Sequence, residues 1–210
     1  MVPSQPSCLM SRWALAAGVV AAAAIAVAHR RKRRTPKWWD ELLEESSLER
    51  LHIAEWENGY LWRRLNGWVG TDYAHGANAA VHIAGYVMGK TDEGHACLVG
   101  AVYMAPGAES HKGLCHGGTM CTIMDDVIGW NGFCVSGVCV PWSGFTVQIN
   151  TTLQAPIKIA SWLRVEASIT KVERRKVSVK AKLVSPATEG SDEVVHCTGE
   201  GLFVVKKESS

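Results

Sequence analysis

Gly113-Leu114-Cys115-His116-Gly117-Gly118, running straight into Thr119-Met120-Cys121-Thr122-Ile123-Met124-Asp125-Asp126-Val127-Ile128-Gly129-Trp130, is the stretch on which the fold turns. Met120, Met124, Val127 and Ile128 recur at three- and four-residue spacing, which predicts a helix with one buried face reaching Phe133. The glycine-bracketed turn before it lets the backbone approach a ligand at Gly117 and Gly118. At that end the unpaired N–H groups and the positive end of the helix dipole favour an anionic oxygen. Asp125 lies one to two turns further in, a carboxylate inside a largely apolar helix and on the same face as Gly118 and Thr122. A donor nest plus a carboxylate can polarise a carbonyl and activate water. Asp126, its neighbour, reads as an ordinary surface carboxylate.

On either side of this helix the period is two. Val81 to Met88 and Ala96 to Met104 flank Gly89–Gly94 as a hairpin. Phe145–Leu153, Leu163–Ile169, Lys176–Leu183 and Val194–Val205 follow as four more strand-like runs. In the first of these, Thr146, Gln148, Asn150 and Thr152 alternate with Val147, Ile149, Thr151 and Leu153. Such alternation means antiparallel strands with one buried face. One long apolar helix against about six strands predicts an α+β domain over residues 81–207, the helix laid on the sheet.

His-Gly-Gly with an Asp nine residues after the His, followed by short amphipathic strands, resembles the hotdog-fold acyl-CoA thioesterases, and among them the mitochondrial thioesterase superfamily members 4 and 5. The resemblance spans roughly Val81 to Val205 and is strongest over His116–Asp125 and Thr146–Pro156. It implies a hotdog fold and hydrolysis of acyl-CoA to fatty acid and coenzyme A. Asp125 would be the catalytic base or nucleophile, Gly118 with Gly117 the oxyanion site, and His116 a shaper of the turn. Thr146, ten residues before Pro156, would hold the attacking water. Thr152 and Gln154 stand where the family tends to have Asn and Lys, so they are weaker candidates for substrate contact. Arg175 and Lys176 match a basic pair that clamps the phosphates of coenzyme A. A homodimer or dimer of dimers, with the site across the interface, is also implied.

From the residues alone, the basic run Lys171–Lys182 could equally be a solvated sheet edge guarded by lysines. Cys115 beside His116 invites a thiol nucleophile, although small buried cysteines are far commoner. No phosphate-cradling glycine loop, GxSxG elbow or clustered metal-ligand motif is present, so neither metal nor cofactor is expected. Two other functions fit the same pattern. One is a dehydratase or hydratase of β-hydroxyacyl thioesters, with His116 as its histidine. The other is a non-catalytic acyl-CoA-binding regulator that uses a Trp-rich arm to hold a partner.

The first 80 residues precede the domain. Trp13 to Ala28 is an uncharged, alanine-rich run of 16 residues ahead of His29-Arg30-Arg31-Lys32-Arg33-Arg34. A bilayer span takes about 17–25 residues, so the run is borderline. Residues 1–34 read as a mitochondrial leader, or as a membrane tether through residues 13–28 with the domain on the basic, cytoplasmic or matrix side. Residues 35–80 read as a helical arm and linker, with Ser47 a candidate cap for a second helix and Gly67–Ala80 a loop. Of 22 Lys and Arg, seven precede Asp40 with no acidic residue beside them, leaving 15 basic against 20 acidic groups, net −5. A domain of that sign is a poor nucleic-acid binder. Seven cysteines without a CxxC pair argue against a disulfide framework and for a reducing compartment.

Overall fold

The structure is a computed structural model that describes residues 34–70 and 79–207, with backbone alone at 57–60. The proposed leader and most of the proposed Gly67–Ala80 loop lie outside the described residues. Among the described residues no helix is long and apolar enough to cross a membrane.

Among the described residues three α-helices, α1 (Lys37–Leu43), α2 (Ala54–Leu65) and α3 (Gly117–Phe133), accompany seven strands. The strands are β1 (Glu49–Arg50), β2 (Val81–Lys90), β3 (Ala96–Met104), β4 (Gly144–Leu153), β5 (Trp162–Glu173), β6 (Lys176–Ser185) and β7 (Val194–Val205). They form one antiparallel sheet in the order β1-β2-β3-β5-β6-β7-β4. The sheet wraps α3, whose Met120, Ile123, Met124, Val127 and Ile128 are buried. Close approach is bought with missing side chains on β7. A Cβ at Gly201 would lie 2.7 Å from Ile128, and one at Gly132 of the helix would overlap the Phe203 ring.

The seventh strand was not legible because it is two residues long, too short for any period. Glu49 and Arg50 pair with Met88 and Val87 and interrupt the expected run of helix. Ser47 is no cap: its hydroxyl donates to Glu45 at 2.7 Å, and α2 begins seven residues later behind Ile53 with no side-chain cap. The arm packs through aromatics, as its tryptophan density suggests. Trp39 is buried against Val87 and Ala101, on the sheet face opposite α3. Trp56 stacks on Tyr86 and, edge-on, on Trp130 of α3, with ring centroids 5.6 and 4.5 Å apart. Asp126 is not a bare surface carboxylate. It is half-buried and accepts a hydrogen bond from the buried Tyr86 hydroxyl at 2.8 Å.

A β-bulge between Thr146 and Gln148 changes the reading of β4. Thr146 pairs with Phe203, Ile149 with Gly201 and Thr151 with Gly199, all of which face α3. Gln148, Asn150 and Thr152 pair with Leu202, Glu200 and Thr198 and face the other way. Strict alternation had put Thr146 with the latter group. The extra residue at Val147 flips the phase, because a one-residue slip sends every side chain to the opposite face.

Candidate active site

The turn before α3 is held by backbone bonds. Cys115 N–H donates to Ile157 O and His116 N–H to Ala108 O, both at 2.8 Å. Glu109 accepts from Gly113 N–H at 2.6 Å, and Gly113 takes φ +79°, where a side chain would be strained. His116 is the N-cap: its Nδ1 accepts from Gly118 N–H at 2.8 Å, which leaves the ring proton on Nε2. Gly118's amide is therefore already occupied. The open donor is Gly117 N–H, at the first helical position, where no intrahelical acceptor exists.

Two turns along α3, Asp125 is exposed in the single chain, yet the protein beside it still raises its pKa above the usual carboxylate value. Desolvation is the main cause, the Asp126 charge adds to it, and a hydrogen bond from the Thr146 hydroxyl opposes it. Thr146 reaches this position because the bulge turns it toward the helix, where its Oγ1 lies 3.4 Å from the place a Cβ at Gly129 would take. The structure thus brings Asp125 and Thr146 together.

It does not bring the glycine turn to them. Gly117 and Asp125 share a helix but are eight residues apart. At about 1.5 Å per residue that is about 12 Å, too far for one carbonyl to touch both. The shared face implied proximity; the rise of the helix removes it.

The other candidates are scattered. Arg175 and Lys176 are exposed at the tip of the β5–β6 hairpin, with the Arg175 guanidinium donating to Val205 O at 3.2 Å. Lys176 pairs with Val204, and Val205 with Gly144, so this tip borders the Thr146 end of β4. Thr152 faces away from α3 and lines a trough of about 640 Å³ with Asn150, Lys180, Lys182, Glu166 and Glu200. Gln154 is beside it, donating to Thr198 at 3.4 Å. That trough lies on the face opposite Asp125. Its lysines are paired, Lys180 with Glu200 and Lys182 with Glu166, each at 3.2 Å. Cys115 is buried against Met104, and burial pushes its thiol up, which is the bland reading of that residue. No group of three or more His, Cys, Asp or Glu among the described residues could hold a metal. The bulge at Val147 and the engagement of Gly118 by His116 escaped the sequence, since neither has a compositional mark.

No curated protein matches this chain. The Thioesterase superfamily model matches residues 112–190, from the turn through β6. Among solved structures, the yhdA protein of Lactococcus lactis shares 11% identity and a TM-score of 0.51, over 60% of this chain and 94% of that one. Thioesterase superfamily member 2 of zebra fish shares 15% identity and a TM-score of 0.50, over 74% of this chain and all of its own. The sheet wrapped on α3 is thus the hotdog fold found in thioesterases, and the turn, helix and first strands of the candidate site fall inside the stretch that the superfamily model matches.

Proposed function

We propose that this protein is an acyl-CoA thioesterase, with Asp125 and Thr146 orienting water and a helix-start amide holding the oxyanion. The observation that carries the reading is the Asp125–Thr146 pair on the face of α3, inside the stretch that the superfamily model matches. A carboxylate with raised pKa and a hydroxyl beside it is equipment for general-base catalysis. Attack by the Asp125 carboxylate itself, through an anhydride, is the other route the pair permits. His116 suits hydration chemistry less well, because its Nδ1 is committed to Gly118.

The 12 Å gap calls for a second copy. Among the described residues β4 pairs with β7 along one edge only, and Phe145 and Val147 are 60% and 56% exposed beside the open edge. An apolar open edge is what a partner strand covers. Antiparallel pairing there would set Gly117 of one subunit against Asp125 and Thr146 of the other. Arg175 and Lys176, at the Thr146 end, would take the phosphates of coenzyme A. Mitochondrial import or a membrane tether remains the reading of the basic, alanine-rich leader.

Thiol release from short, medium and long acyl-CoAs, alongside loss of enoyl-CoA absorbance, tests the activity. Hydrolysis without hydration is expected; hydration alone, or tight acyl-CoA binding with no thiol released, would overturn it. Thr146→Val keeps the β-branched shape and removes the hydroxyl that holds the Asp125 pKa down. The acid limb of kcat/KM should then move to higher pH, since more of the carboxylate is protonated at any given pH. An unmoved limb would dissolve the pair.

A further inference from the structure

The loop joining α3 to β4 contains two cysteines that the proposed chemistry does not use. Cys134 caps the helix, its N–H donating to Asn131 O at 3.0 Å. Val140 N–H then donates to Phe133 O and Gly137 N–H to Cys134 O, each at 2.9 Å, with Gly137 at φ +84°. These bonds fold 133–140 back on itself, so residues 134 and 139, one step inside the 133–140 bond, face each other. Cys134 is fully buried in the core, and Cys139 is half-buried and packs on the same cluster. Each thiol is the strongest influence on the other's acidity.

We infer that Cys134 and Cys139 are a thiol–disulfide site, closing the loop between α3 and β4 when the protein meets a low-molecular-weight disulfide. Their mutual influence sets the roles. It raises the Cys134 thiol and lowers that of Cys139. Cys139 is also the more accessible of the two. Its thiolate attacks one sulfur of oxidised glutathione, forming a mixed disulfide and expelling one glutathione thiolate. Cys134 then gives up its proton and attacks the Cys139 sulfur, expelling the second glutathione. Two protein thiols become one disulfide and one glutathione disulfide becomes two thiols, so the two electrons pass to glutathione. A disulfide needs Cα atoms about 4.4–6.8 Å apart, and the 133–140 backbone bond holds these two residues across one turn from each other. Buried Cys115 packs against the Met104 thioether instead.

The full chain, equilibrated over a range of reduced to oxidised glutathione and quenched in acid with alkylation, tests this by peptide mass spectrometry. Cys134 and Cys139 should become protected together, their peptide losing two hydrogens, and dithiothreitol should restore both. Cys139→Ser should leave Cys134 alkylatable, while Cys121→Ser should leave the cross-link intact. Both cysteines alkylatable at every ratio, a reaction that stops at glutathionylated Cys139, or Cys134 bridged to any other cysteine would each overturn the assignment.

Discussion

Asp125→Asn is expected to lower acyl-CoA turnover by a factor of about 10²–10⁴, the usual worth of a positioned general base. The thermal midpoint should barely change. Asparagine keeps the shape and can still accept from Thr146, but it cannot take a proton. The variant also removes a like charge beside Asp126, so no loss of stability is expected from that source. Near-normal hydrolysis would refute the role of Asp125. The same variant probes the two-subunit site. Gly117→Pro deletes the open N–H at the first helical position, where proline's fixed φ fits, and His116 already has the extended backbone (φ −68°, ψ 135°) that a following proline demands. A Cβ there meets only the flexible end of Leu153. Each variant alone should be nearly inactive. Refolded together as a random mixture, half the dimers would be mixed with one intact site of two, restoring about a quarter of wild-type activity under two-fold symmetry. A mixture as inactive as its parents would mean that the turn and the carboxylate serve within one chain, or not at all.

Phe203→Ala is the change with the largest expected effect on stability. The ring is fully buried, meets Phe133 edge-on at 5.3 Å between centroids, and fills the space left by Gly132 on the helix and Gly144 on β4. Truncating such a ring costs about 3–5 kcal/mol, because neighbours collapse only partly into the void. Against a total of about 5–15 kcal/mol, that is a large share. Since Phe203 stands opposite Thr146 in the sheet, the loss falls on the seam that sets Thr146 against the helix. Equilibrium urea unfolding of the two proteins checks it. A difference below about 1 kcal/mol would mean that the ring is not the packed centre of that seam.

The helix of one buried face and the six longer strands were legible in the sequence, because both signals are local. Apolar residues must face the core, and the period with which they recur reports the element that carries them. The turn and Asp125 were legible as candidates for the same reason: paired glycines and a carboxylate in an apolar run are locally anomalous. The face of Thr146 was not legible. It depends on one extra residue in β4, a matter of how β4 and β7 hydrogen-bond, and Val147 looks like any strand valine. Gly117 could not be told from Gly118, because only the folded turn shows which amide the His116 ring has taken. β1 was hidden too, since two residues pair only where β2 presents an edge. Sequence pattern determined which segments pack and which residue types could do chemistry. The tertiary structure decided which of them meet, because hydrogen-bond register and the rise of a helix are set between segments and leave no periodic trace within one.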